Sequence, residues 1–256
     1  MSALNFQNVM AHLIRFPEQP LDAVESKLNF PELSAEEKAQ LEKMATDPLV
    51  RKFGRKMSYC RRRDATQILR LARDFIPEEV LDRMFYERFE RSGTTTDLVM
   101  VGVQFVDFLL ADSDCSRHLD ECPPFTRDVL RYEGTKAYIV RQVIKNDDPT
   151  LPDDTLLRHK AYRIIDIEYD VPSIDMQKQK DLKAVKSPEP KEMKLIFMRS
   201  EEPPFYRMFQ IDGAIENFLT IQRESPEKWT EPLPQAFDGM VSVGLCRSRR
   251  LPSRRS

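Results

Sequence analysis

Proline divides the first part of this chain into short segments. Up to about residue 145, apolar side chains recur at helical spacing, and the runs begin or end at prolines. Pro17 and Pro20 close the first run. Asp47-Pro48 opens another, Pro77 with Glu78-Glu79 the next, and Pro123-Pro124 the last. Proline fixes φ and carries no N–H, so it fits the first turn of a helix and stops one elsewhere. Glycine, which all-β proteins use for tight turns, occurs only 7 times in 256 residues. That scarcity also nearly excludes a glycine-rich nucleotide loop.

The pattern therefore predicts a helical N-terminal domain over 1–145. Leu4–Phe16 reads as a short amphipathic helix. Ser34 stands three residues before Glu37, a capping box. Behind the Asp47 N-cap, apolar residues at 49, 50, 53, 57 and 60, then 68, 69, 72 and 75, predict one stripe facing a core toward Phe75. Val80, Leu81, Met84, Phe85 and Phe89 form the next stripe, ended by Ser92-Gly93. Leu98–Ala111 predicts a buried central helix too short to span a bilayer, which needs about 20 apolar residues. A further helix runs from Phe125 to Val143, with Gly134 as its weak point.

The composition then changes. Residues 146–160 read as a linker, and 161–246 as a smaller α+β domain. Tyr162–Val171, Met193–Met198 and Phe205–Ile211 have strand composition. Lys-rich 175–192 reads as an exposed loop. Asp212-Gly213 precedes a short helix with Ile215, Phe218, Leu219 and Ile221 on one side. Trp229–Gly239 carries prolines at 232 and 234 and a short helix near its end, and Val241–Cys246 reads as a last strand. Residues 247–256 hold five arginines and no acid, a disordered basic tail. The expected fold class is mainly α with a smaller α+β, winged-helix-like domain.

Little points to chemistry within the chain. No phosphate loop, nucleophile elbow or H-E-x-x-H motif occurs, and there are 3 histidines. No catalytic residue and no metal ligand is assigned. Cys115, His118 and Cys122 offer zinc-type donors, but their spacing matches no standard site and a polar interhelical loop is the preferred reading. The N-terminus reads as neither signal nor transit peptide, so a cytoplasmic, membrane-free protein is expected. The net charge of −2 weakens nucleic-acid binding. Yet Arg51–Arg73 holds nine basic residues and one acid, either a docking face or a face whose arginines pair with neighbouring helices. In the second half, the Leu195-Ile196-Phe197 and Phe205-Tyr206 strands either add an extended peptide as a further strand or are plain core.

Several pieces taken in order resemble a known family. They are Tyr59-Cys60-Arg61-Arg62-Arg63, then Leu69 to Phe75-Ile76-Pro77, then Phe105-x-x-Phe108-Leu109, and then Pro124 to Asp128 with Arg131 and Glu133. In the second half, paired strands lead to Asp212–Leu219 and to Gly239–Leu245. This order resembles the partner proteins of multinuclear non-haem iron-dependent oxidative enzymes (MNIO), which act in the biosynthesis of ribosomally made, modified peptides (RiPP). Ile76 interrupts the family's aromatic-proline pair, and the Lys-rich loop and Arg-rich tail also depart from it.

The resemblance implies a non-catalytic subunit with no cofactor of its own, forming a heterodimer with a TIM-barrel enzyme that holds the iron. That enzyme oxidises a residue of a precursor peptide, commonly cysteine. The resemblance also implies a C-terminal domain like a RiPP-recognition element, with the peptide along a strand and a neighbouring helix. Leu195, Ile196, Phe197, Arg199, Phe205, Tyr206, Ile215 and Leu219 would then hold the peptide, and Arg61, Arg62 and Arg63 would dock the enzyme. The alternative is a nucleic-acid-binding regulator using the basic helix 51–73 and the C-terminal domain.

Overall fold

In the computed structural model, the described residues are 10–12, 34–91, 100–142, 157–158, 162–179, 187–213, 215–216 and 246–247. They are mainly α-helical with a small antiparallel sheet. No helix among them is long and apolar enough to cross a membrane. Their contacts form two compact units. One comprises the chain to Gln67 with Glu78–Phe105, and the other Ile68–Pro77 with the chain from Val106 onward.

In the first unit, α1 (Ala35–Thr46) begins at the capping box, with Glu37 N donating to Ser34 Oγ and Ser34 N to the Glu37 carboxylate. Asp47 Oδ1 accepts from Leu49 N and starts α2 (Pro48–Thr66). This helix stops at Thr66, where the sequence predicts a stripe continuing to Phe75; the segment that follows belongs to the second unit and includes a 3-10 turn, Ala72–Asp74. The inner face of α2 also differs from the predicted one. Gly54, Ser58, Ala65 and Thr66 are buried, whereas Leu49 and Phe53 are exposed.

α3 (Glu78–Arg83) passes directly into a π-helical turn, Met84–Phe89, closed by Glu90 N donating to Phe85 O at 2.8 Å. A π turn holds one more residue than an α turn. Met84 and Phe89, and likewise Phe85 and Glu90, therefore share the inner side, and all four are buried. Phe85, Phe89 and Phe105 pack ring against ring, with centroids 5.1–5.6 Å apart. Phe105 lies on α4 (Val101–Ala111), within which the division between the units falls.

The second unit holds α5 (Ser113–Asp120), α6 (Thr126–Arg141) and a three-stranded antiparallel sheet ordered β2-β3-β4, with β2 Tyr162–Tyr169, β3 Pro190–Arg199 and β4 Tyr206–Ile211. A second small pair joins β1 (Leu157–Arg158) to β5 (Cys246–Arg247). α6, which the sequence reading assigns to the helical domain before 145, packs on β2 and β3. It is tied there by Asp128, whose carboxylate accepts from Glu168 N at 2.6 Å and pairs with Arg131. The contacts thus divide the chain elsewhere than at a 146–160 linker, most of which lies outside the described residues.

Between β2 and β3 the chain forms α7 (Val171–Gln179) in place of the start of the predicted 175–192 loop. Asp170 accepts from Ser173 N, and Pro172 occupies the first turn, a start signal of the usual kind. Lys178 anchors the far end of α7 on Arg70 O and Asp74. The predicted elements at 218–245 and the basic tail lie outside the described residues, apart from Cys246 and Arg247.

Gly134 is the weak point of α6 only in propensity. A Cβ there would stand 2.7 Å from Val106 Cγ1. Gly134→Val is expected to destabilise the protein by about 1–3 kcal/mol through overpacking, read as a lowered melting temperature. A melting temperature equal to that of the parent would show that the two helices separate readily.

Candidate functional site

Both long edges of β3 are occupied. Ile196 pairs with Ile164 of β2 and Phe209 of β4, and Phe197 with Arg163 and Met208. Leu195, Ile196 and Phe197 are fully buried, and so is Met198. Side chains alternate between the two faces of a strand, so this run is buried on both sides. Leu195, Ile196 and Phe197 are therefore core residues of a central strand, which leaves them no edge for an added peptide. The outer strand on that side is β4, where Arg207 and Gln210 are exposed.

Beside β4 lies a polar cluster within the same unit. Asp175 of α7, nearly buried, accepts from the Tyr132 hydroxyl at 3.1 Å and pairs with Lys136 of α6. The Lys136 ammonium lies 5.0 Å from the Tyr132 ring centre and 5.4 Å from that of Tyr206. Phe197 stands edge-on to Tyr132 at 5.4 Å. Burial, with the Asp175 charge, raises the Tyr132 pKa far above the phenol range, so its hydroxyl stays a donor. Tyr206 is thus half-buried at the start of the outer strand, against a lysine already neutralised by a carboxylate.

The other proposed peptide residues lie at the two ends of the β3-β4 pair. Arg199 donates to Phe205 O at 2.6 Å and lies over the Phe205 ring, fixing the turn between β3 and β4. Phe205 has φ 66° and is exposed. After β4, Asp212 accepts from Ile215 N and begins a helical turn, whose Glu216 meets Lys194 of β3 at 2.6 Å. Ile215 is half-buried. Leu219 lies outside the described residues.

The three consecutive arginines near the end of α2, Arg61, Arg62 and Arg63, divide. Arg61 pairs with buried Glu90, which also accepts from the Ser58 hydroxyl. Arg62 pairs with Glu78 and Asp82. Their side chains are only 12% and 11% exposed, so both point inward and hold α2 against α3 and the π turn. Arg63 is 64% exposed and pairs with its neighbour Asp64. Of the two readings of this helix, pairing with neighbouring helices describes Arg61 and Arg62; of these three arginines Arg63 alone faces outward, as do Lys52, Arg55 and Lys56 earlier in the helix.

Cys115, His118 and Cys122 lie along and just beyond α5. Cys115 is buried, and the Cys122 thiol points to His118 O at 3.4 Å. Burial raises the Cys122 pKa, which favours the thiol over a metal-binding thiolate. Among the described residues no group of three His, Cys, Asp or Glu side chains is placed to hold a metal.

Sequence reasoning missed Glu90 and Asp175, and it singled out Glu133 only as part of a family pattern. Glu133, in α6, is buried and accepts from Leu71 N at 2.7 Å and Ala72 N at 3.0 Å. These partners lie about sixty residues away in sequence, so no local spacing signals them. No protein-family model and no curated protein matches this sequence.

Proposed function

We propose that this chain is a non-catalytic partner subunit that holds an extended precursor peptide against the outer edge of β4 for an iron-dependent oxidative enzyme. The observation that carries the reading is a small antiparallel sheet whose central strand is buried from Leu195 to Met198 while β4 lies outermost, with no strand beyond it among the described residues. An edge of this kind offers a row of backbone N–H and C=O groups, which recognise an extended chain with little demand on its side chains.

The peptide would run beside Tyr206–Ile211, with Phe205 and Tyr206 at one end and the turn from Asp212 to Ile215 at the other. A winged-helix-like recognition element would grip its ligand in this way, between a strand and the helix that follows it. Leu195, Ile196 and Phe197 then act as the packed floor, and Arg199 as the brace of the turn. Iron and oxidation belong to the enzyme in this reading. The nucleic-acid alternative loses two of its charges, because Arg61 and Arg62 are consumed by internal pairs.

The test has two parts. Co-expression with an iron oxidase encoded beside this gene should yield a stable complex on purification. Hydrogen exchange on that complex should then show the amides of 206–211 protected when the precursor peptide is added. A complex that forms without any peptide-dependent protection of β4 overturns the edge assignment. Full oxidase activity with no complex overturns the partner role.

A further inference from the structure

α2 carries its apolar and polar residues the wrong way round for a surface helix. Gly54, Ser58, Arg61 and Ala65 follow helical spacing along the inner face, where the small side chains permit close approach and Arg61 meets Glu90. That buried pairing fixes the rotation of the helix about its axis. The outward face is consequently Leu49, Lys52, Phe53, Lys56, Tyr59 and Arg63. Leu49 is 75%, Phe53 51% and Tyr59 60% exposed. Large side chains are thus displayed in water while arginines are spent inside, at a site where cations surround them.

We propose that this face docks a partner protein through an acidic segment bearing apolar side chains. Charge complementarity sets the sign: Lys52, Lys56 and Arg63 line a face on which α2 places no acid other than Asp64, itself beside Arg63. The exposed Leu49 and Phe53 set the class. They lie one turn apart and form a single apolar spot, large enough for one or two side chains of a partner. A duplex phosphate backbone has nothing for them to bury against. A bilayer surface needs a longer apolar stripe than this one turn supplies. The face lies in the first unit, so the inference goes beyond the β4 reading and stands apart from it.

The experiment uses the full chain and three probes: a short labelled peptide of Glu with Leu and Phe at helical spacing, a duplex DNA oligonucleotide, and vesicles rich in phosphatidylserine. The acidic peptide should bind, and its counterpart with Gln in place of Glu should not. Phe53→Ser and the pair Lys52→Glu/Lys56→Glu should each weaken binding by about tenfold or more. Melting temperature should stay unchanged in Phe53→Ser, which separates a docking role from a structural one. Failure of the acidic peptide to bind, binding indifferent to both variants, or preference for DNA or vesicles overturns the proposal. So does a dimer of the parent chain that Phe53→Ser dissociates, since a second copy would then occupy the face. Loss of the β4 reading moves none of these measurements.

Discussion

Glu90→Ala should lower the free energy of unfolding by about 3–5 kcal/mol, the usual cost of removing one partner from a buried ion pair. Glu90 sits at the end of the π turn with its side chain 6% exposed, and the Arg61 side chain facing it is 12% exposed. The substitution removes the counter-charge of a guanidinium that remains inside, and it strips the Ser58 hydroxyl of its acceptor. Replacing the whole set, as Ser58→Ala/Arg61→Leu/Glu90→Leu, should recover much of the loss, because an apolar trio leaves no desolvated charge behind. Arg63→Ala provides the contrast: its exposed pair with Asp64 should contribute about 0–1 kcal/mol. Urea unfolding curves measure all three, with an unchanged slope reporting that the unfolded state is the same. A cost for Glu90→Ala near that of Arg63→Ala would mean that water reaches the pair.

The contrast between Glu90 and Arg63 also marks what the sequence could reveal. Local chemistry was legible. Ser34 with Glu37 and Asp47 with Pro48 start helices where their hydrogen-bonding predicts, and the paired strands from Met193 and Phe205 lie within a residue or a few of their expected positions. The rotation of α2 was not legible. Its sequence offers two stripes, one apolar through Leu49 and Phe53 and one small through Gly54, Ser58 and Ala65. Counting hydrophobicity selects the first. Packing selects the second, because small residues allow close approach and Glu90 arrives from a π turn that no periodicity announces.

The central position of β3 has a signal in the sequence, on the side of the plain-core reading. Leu195 to Met198 is an unbroken apolar run, which marks a strand covered on both faces, whereas an edge strand alternates. α7 carried one as well, in Asp170 and Pro172, but strand-like residues before it drew the boundary too late. The ties that join α6 to its neighbours, Asp128 to Glu168 N and Glu133 to Leu71 and Ala72 N, are long-range and polar. They can be seen only once the fold has brought their ends together.

Glu133 leads to the second large effect, a stability that falls as pH rises from about 4.5 to about 7. Burial is the main influence on this carboxyl and pushes its pKa up to about 7, against the opposing pull of the Leu71 and Ala72 N–H groups and of the Lys136 ammonium; the Asp175 charge adds to the rise. A group that holds its proton more tightly when folded favours the folded state while it is protonated. Its contribution is therefore complete below the ordinary carboxyl pKa and is lost as pH climbs through the folded value. A displacement of this size corresponds to about 3 kcal/mol. Other groups titrate in the same range, so the informative quantity is the difference between the parent and Glu133→Gln, measured by urea unfolding at successive pH values. Glutamine keeps one acceptor for the two N–H groups and cannot ionise, so the variant should be the less stable protein at low pH, and its deficit should shrink by about 3 kcal/mol toward neutrality. A deficit that stays flat or widens with pH would show the opposite balance. The two backbone N–H groups would then be holding Glu133 as a carboxylate despite its burial, and the link between α6 and the turn at Leu71 would be ionic throughout.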